Sequence, residues 1–401
     1  MRLIEPVSGE LRALGADDRG KILLAIAIPW GLLVGMRMAL PVLLPYLQSD
    51  FGISLSVAGL LVTVLWLAGS VGQVPAGALA DRYSERHLMT IGLVFVAVAL
   101  AFFVLAPTVL SLFLAVAFWG LAHSLYPIAR ITALSFVFPD RLGSALGLTM
   151  ATGDLGQTII PPVISAIAVG LVWYLGVIVL IPFFLVGAIA IWLAVPKNGA
   201  SSTGGSLLSR DTIEFINDEL RNATMLFVGF ILFLYIFLWQ AFTAFYPTYL
   251  VLEKGISEPV AGLLFGAFFA VGAIIKPIGG FAHDRVGMRL SLMAVLIGPV
   301  VGFFLLTIVE SILTLILVTI LLSSMLGTGA ITQTFLAEKF SAKMRGTGLG
   351  IVRTTSAVLG AAGPVVFGVI ADYGFFDEGY IALGVLLFIV VVLTYFMPQT
   401  R

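Results

Sequence analysis

The sequence of 401 residues contains no cysteine, only three histidines and few charged residues, which make up 10% of the chain. The absence of cysteine excludes disulfides, thiolate metal sites and a thiol nucleophile. Soluble proteins are about one quarter charged, so the low charge argues against a soluble enzyme, a disordered protein and a nucleic-acid-binding protein. With 60% hydrophobic residues and a mean hydropathy of +1.13, the chain is predicted to lie in a bilayer.

The sequence consists largely of long apolar runs. A helix needs about 20 apolar residues to cross the hydrocarbon core of a membrane. Glycine, proline and charged interruptions divide the chain into twelve such runs, at roughly 22–47, 55–80, 88–106, 109–138, 142–169, 172–195, 223–250, 258–282, 289–309, 311–338, 346–372 and 379–397. They predict an all-α integral membrane protein with twelve transmembrane helices.

The distribution of lysine and arginine predicts the orientation of these helices. If the N-terminus is cytoplasmic, the inner segments contain sixteen of the 21 basic residues and the outer segments contain one, Lys254. Cytoplasmic loops carry such an excess of Lys and Arg. We therefore expect a multi-pass protein of the cell membrane with both termini in the cytoplasm. The remaining four cations, Arg37, Arg130, Lys276 and Arg353, fall inside predicted helices.

The two halves of the chain repeat each other. A shift of 203 residues places Gly52-Ile53-Ser54 on Gly255-Ile256-Ser257, and one residue more places Arg141 on Arg345. We expect an N-terminal six-helix bundle over 1–195, a cytoplasmic central loop over 196–222 and a C-terminal six-helix bundle over 223–401. A parallel repeat of this kind predicts a substrate site between the halves near the membrane midplane.

A motif in the loop after the second run also occurs twice. The sequence from Gly77 to Arg86 is GALADRYSER, and that from Gly280 to Arg289 is GFAHDRVGMR. Both resemble the signature loop of the major facilitator superfamily (MFS), in which Gly is followed after three residues by Asp-Arg or Asp-Lys and then by Gly and basic residues. Ser84 replaces the usual glycine in the first copy. The resemblance implies a transporter in which two six-helix bundles rock to give alternating access.

Charged residues near these loops form a predicted conformational gate. A carboxylate at a helix end can accept hydrogen bonds from arginine or from the amide end of another helix, and such contacts can hold one conformation and release in the other. Arg353 is the predicted partner of Asp81. The alternative is that these residues only anchor the loops and orient the protein. The predicted gate residues are Asp81, Arg82, Arg86, Asp284, Arg285, Arg289 and Arg353.

Charges deep in the predicted membrane region indicate the substrate. Arg37 is the deepest cation, about 22 Å from the inner end of its helix and about 15 Å from the outer end. Its guanidinium suits a carboxylate or phosphate, so we predict that Arg37 anchors an anionic substrate. Asp154 is the only carboxylate at this depth and is the predicted proton-coupling residue. The alternative is an ion pair in which Arg37 and Asp154 neutralise each other.

Two further residues on the fourth run complete the cation-rich set. His123 and Arg130 are seven residues apart, so both side chains can face one cavity and contact substrate. The alternative for His123 is a hydrogen bond between helices.

The seventh run supplies the last predicted substrate contacts. Arg37, together with the stretch from Gln73 to Arg82, resembles the organic-anion branch of the superfamily, although that branch commonly has Glu where this chain has His123. Gln240 occupies the position equivalent to Arg37 in the second half, so the predicted anion site has one strong cation. Gln240 and Tyr246 are predicted to contact substrate.

The sequence thus predicts a secondary active transporter that takes up a small organic anion, a carboxylate, with protons. It contains no nucleotide-binding loop, metal-ligand cluster or nucleophile with its base, so we expect no cofactor and no enzymatic activity. The expected partners are the anionic substrate, protons and the lipid bilayer, without nucleic acid, and the expected state is a monomer. Two alternatives stay open, a proton-antiport exporter of amphipathic compounds and a non-transporting membrane sensor or scaffold.

Overall fold

A computed structural model of the chain describes residues 17–80, 82–197, 223–339 and 345–396. The described ranges are almost entirely α-helical and contain no strand. In the first half the helices are α1 Asp17–Phe51, α2 Leu55–Ala80, α3 Glu85–Val104, α4 Val109–Val137, α5 Leu142–Gly170 and α6, which consists of Trp173–Ile178 and Ile181–Ala194.

The second half begins with α7, Ala223–Leu252. The next helical element, Glu258–Ile308, contains two predicted runs, because Gly287 has a φ of 77° and a ψ of 172° and interrupts the helix. We call the parts before and after Gly287 α8 and α9. Then follow α10, formed by Ile312–Ser323, the 3-10 turn Ser324–Gly327 and Thr328–Lys339; α11, formed by Arg345–Gly360 and Gly363–Asp372; and α12, Phe376–Tyr395.

The predicted all-α membrane fold is confirmed. Within the described ranges, ten helices are long and apolar enough to cross a membrane, and one of these contains both α8 and α9. The one predicted run that is not among these, the fifth at 142–169, corresponds to α5, which has 29 residues but is less apolar because it contains Asp154, Gln157 and two prolines. Each of the twelve runs therefore has its helix.

The described helices group into two compact units. The first unit contains the described residues of 1–39 and 68–204, and the second contains those of 40–67 and 205–401. The C-terminal part of α1 and the N-terminal part of α2 thus pack with helices of the second half. The division into two six-helix bundles with the bounds given above stays a prediction, and residues 198–222 of the predicted central loop lie outside the described residues.

In the first unit, α1 and α5 cross at glycines. A Cβ atom on Gly156 would lie 1.9 Å from the carbonyl oxygen of Gly31, and one on Gly35 would lie 2.4 Å from that of Gly156. Only glycine allows two helix backbones to approach this closely. The crossing fixes the position of Arg37 on α1 relative to Asp154 on α5.

Candidate substrate site

Arg130 on α4 is buried and held by two contacts. Its guanidinium carbon lies 4.0 Å from the centroid of the Trp30 ring on α1, and Nη1 donates a hydrogen bond of 2.7 Å to the hydroxyl of Thr149 on α5. The side chain is 6% exposed. Because a planar guanidinium gains from both stacking and directed hydrogen bonds, these two contacts fix its orientation. Arg130 therefore links three helices of the first unit.

Trp30 is also surrounded by polar side chains of α4. Its ring centroid lies 6.2 Å from that of His123 and 6.3 Å from that of Tyr126. Tyr126 donates its hydroxyl to the carbonyl of Ile26 at 2.8 Å. His123 is 3% exposed, and no partner for its Nδ1 atom exists among the described residues. A polar ring nitrogen in such a place is available to a ligand or to water.

Arg37 lies two helical turns beyond Trp30 on α1 and is half-buried. His123 and Arg130 on α4 are likewise seven residues apart, about 10.5 Å along the helix, and both lie near the ring of Trp30. The first unit thus has a column of polar side chains, which we call the cation column: Arg130, Trp30, His123 and Arg37.

Asp154 follows a glycine of α5 that packs against this column. It is half-buried on α5, and its neighbour Gly153 faces α1, where an added Cβ would lie 2.8 Å from Nε1 of Trp30. The backbone carbonyl of Asp154 accepts a 2.8 Å hydrogen bond from Thr158. The structure therefore brings the predicted proton-coupling residue into the same unit as three of the predicted substrate contacts.

The other two predicted substrate contacts lie in the second unit, on α7. Gln240 is 1% exposed, and its Oε1 atom has no hydrogen-bond partner within the described part of the chain. Tyr246 is fully buried, packs against the tilted ring of Phe242 and shares a hydrogen bond with the hydroxyl of Thr319. Gln240 thus keeps an acceptor for substrate or water, whereas the hydroxyl of Tyr246 is already in use.

Two of the predicted gate arginines form equivalent contacts in the two halves. The guanidinium of Arg86 on α3 lies 4.3 Å from the ring centroid of Trp192 on α6, and that of Arg289 on α9 lies 4.1 Å from that of Tyr395 on α12. Both arginines and both aromatic residues are 203 positions apart. Each pair joins the third and sixth helices of its half, so these arginines have a packing role in addition to any role in gating.

The other gate residues make fewer contacts. Arg82 and Asp284 are exposed, and the guanidinium of Arg285 lies 4.4 Å from the ring centroid of Phe281. Asp81 lies outside the described residues, so its predicted contact with Arg353 stays a prediction.

Arg353 instead shows a contact that repeats one in the first half. It is exposed, and its Nη1 donates a 2.9 Å hydrogen bond to Oε1 of Gln333 on α10. Gln333 is 203 residues after Arg130, and Arg353 is 204 residues after Thr149. In each half, an arginine therefore joins the fourth and fifth helices at equivalent positions. The arginine lies on the fourth helix in the first half and on the fifth helix in the second half.

Sequence reasoning missed the roles of Trp30 and Thr149. Trp30 is one of several aromatic residues on α1 and α7, and nothing in its local sequence distinguishes it from a packing residue. The internal repeat carries a signal for Thr149, because its equivalent, Arg353, is a polar residue at the same depth.

The chain matches the family profile of the Major Facilitator Superfamily over residues 30–249 and 228–401. The chain belongs to this superfamily. It is a multi-pass membrane transporter and not an enzyme.

Relatives within the superfamily have different substrates. The chain is 23% identical over 261 residues to a hexuronate transporter of Bacillus subtilis (strain 168), covering 62% of this chain and 61% of that protein. It is 22% identical to a nitrite extrusion protein of the same organism, with 90% of both chains covered. It is 25% identical to a probable nitrate transporter of Staphylococcus haemolyticus, covering 81% of this chain and 82% of that protein.

Solved structures show the same fold at low identity. The nucleoside transporter NupG has a TM-score of 0.79 at 13% identity, covering 95% of this chain and 100% of that chain. An inward-facing, occupied bacterial homologue of the lysosomal transporter Spinster has a TM-score of 0.80 at 14% identity, covering 94% and 96%. Identities this low support the fold alone.

Proposed function

We propose that this MFS transporter takes up a small organic anion, a carboxylate, together with protons. The observation that carries the proposal is the cation column of the first unit. It groups Arg130 and His123 around the ring of Trp30, and Arg37 follows about 10 Å further along α1.

Each cation of the column has a distinct role. Arg130 is buried and fixed by Trp30 and Thr149, so it contributes a positive potential that is strong in a medium of low dielectric constant. Arg37 is half-buried and can be reached by a ligand, so it is the anchor that binds a carboxylate through paired, charge-assisted hydrogen bonds. His123 provides a nearby ring nitrogen.

The named substrates of three relatives support an anion. Hexuronate, nitrite and nitrate all carry a negative charge, and the relatives named for them match most of this chain. Asp154 on α5, in the same unit as the column, is the proposed proton carrier. One proton carried with each carboxylate group would balance the negative charge of the substrate.

Uptake into proteoliposomes tests the proposal. The probes are glucuronate, a small dicarboxylate, nitrate and the neutral sugar glucose, with an inward proton gradient. The variant Arg37→Gln removes the anchor but keeps a polar side chain that the repeat already tolerates, at Gln240. The control is Arg19→Gln, which removes an exposed cation from the same helix.

We expect Arg37→Gln to lower carboxylate uptake at least about tenfold, because a charge-assisted hydrogen bond contributes about 1.5–3 kcal/mol, while Arg19→Gln transports normally. Uptake by Arg37→Gln at the wild-type rate would remove the anion proposal. The similarity to a nitrite extrusion protein supports export as the second candidate direction. Export is measured as the loss of anion from the same vesicles after they are loaded with the anion and diluted.

A further inference from the structure

The first amides of α2 find their hydrogen-bond acceptors far along the chain. The backbone N–H of Leu55 donates to one carboxylate oxygen of Asp372 at 2.7 Å, and that of Ser56 donates to the other oxygen at 2.8 Å. Asp372 is the last residue of α11. The amides of a helix N-terminus need acceptors and favour negative charge. Since the first turn of α2 contains no acidic residue, a carboxylate from another helix fills this place.

The repeat shows that this arrangement is not required for the helix itself. α8, the equivalent of α2, begins after Ser257 and has Glu258 in its own first turn. At the position equivalent to Asp372, the end of α5 has Ala168 and Val169. The end of α5 therefore has no carboxylate with which to make the equivalent contact to α8.

The contact lies at one end of a closely packed seam between α2 and α11. A Cβ atom on Gly368 would lie 2.5 Å from the carbonyl oxygen of Leu55. One turn along, one on Gly59 would lie 2.3 Å from the carbonyl oxygen of Pro364. Backbone atoms of the two helices therefore touch directly, and all these residues belong to the second compact unit.

A further hydrogen bond lies deeper in the seam. The backbone N–H of Val365 donates to the hydroxyl of Thr63 at 3.3 Å, and Thr63 is 8% exposed. The distribution of lysine and arginine predicts that the seam lies in the outer half of the membrane. The seam therefore joins the outer parts of α2 and α11.

We propose that Asp372 is a latch that holds the outer ends of α2 and α11 together and that releases in each transport cycle. A transporter that exposes its substrate to each face in turn has to open whatever contact closes the outer face. Asp372 is exposed, so water can replace the two amide donors when the helices separate. The latch sets the balance between closed and open states and is independent of the substrate's identity.

The test measures access to the seam by thiol labelling. Because the chain has no cysteine, Thr63→Cys provides a single reporter inside the seam. The labelling rate with a membrane-impermeant maleimide is measured in vesicles with the outer face exposed, without substrate. The test variant is Asp372→Asn, and the matched control is Glu310→Gln, which removes an exposed carboxylate from the α9–α10 loop, on the same predicted face.

Removal of the charge is expected to raise the labelling rate about three- to tenfold over the Thr63→Cys parent, in line with the strength of a carboxylate at a helix N-terminus. Glu310→Gln should leave the rate unchanged. A labelling rate in Asp372→Asn equal to that of the control, or lower, would overturn the latch.

A second variant guards against a folding defect in the first. Ser56→Pro removes one of the two amide donors and keeps the carboxylate. It places proline where the repeat has Pro259 in the first turn of α8, a position that accepts proline. This variant should also raise the labelling rate. The double variant should gain little beyond Asp372→Asn, because both changes break the same contact; fully additive increases, or no increase with Ser56→Pro, would contradict the latch.

Discussion

Replacing Gly156 by alanine tests whether the crossing of α1 and α5 positions the cation column. The new Cβ would lie 1.9 Å from the carbonyl oxygen of Gly31, whereas ordinary contact begins at 3.4 Å. The two backbones would have to separate by roughly 1.5 Å, because a carbonyl oxygen cannot rotate away as a side chain can. Overpacking of this kind costs about 1–3 kcal/mol, and the better helix propensity of alanine returns up to about 1 kcal/mol.

The matched control is Gly147→Ala on the same helix, where nothing lies within 4 Å of the added Cβ. Thermal unfolding of both purified variants is followed by intrinsic tryptophan fluorescence, and carboxylate uptake is measured in proteoliposomes. We expect Gly156→Ala to be destabilised by about 1–2 kcal/mol and to bind substrate more weakly, since Arg37 moves with α1. Gly147→Ala should be as stable as the parent or slightly more stable. Equal stability and equal uptake in the two variants would refute this account of the crossing.

Two other predictions concern the column and its neighbour. Arg130→Lys keeps the charge but loses the planar stack on Trp30 and the directed bond to Thr149, so the free energy of unfolding should fall by about 1 kcal/mol while KM for the carboxylate stays near that of the parent; unchanged thermal stability would show that the guanidinium plane does not matter. Asp154→Asn should abolish accumulation driven by a proton gradient while exchange of labelled for unlabelled substrate continues, and accumulation at the parental level would reject the proton role.

The apolar runs predicted the helices well because the bilayer requires about 20 apolar residues for each span. α2 was predicted at 55–80 and is found at Leu55–Ala80. α1 was predicted at 22–47 but extends from Asp17 to Phe51, because its polar ends continue the helix beyond the hydrocarbon. The boundary between α8 and α9 also differs, since the predicted loop there is reduced to the interruption at Gly287.

The residue types of the site could be predicted from their depth, but their neighbours could not. The cost of burying a charge marked Arg37 and Asp154 within the sequence. By contrast, the stack of Arg130 on Trp30 and the bonds from α2 to Asp372 join positions about 100 and more than 300 residues apart. Helical periodicity predicts which side chains share a face and says nothing about which other helix that face meets.

The most direct test of the anion site is equilibrium binding of the best-transported carboxylate to purified protein, measured by isothermal titration calorimetry. The parent and Arg19→Gln should bind it with the same affinity, and Arg37→Gln should bind it at least about tenfold more weakly, because the paired hydrogen bonds to the guanidinium are lost. Equal affinity in Arg37→Gln and the parent would contradict the assignment of Arg37 as the anchor of the transported anion.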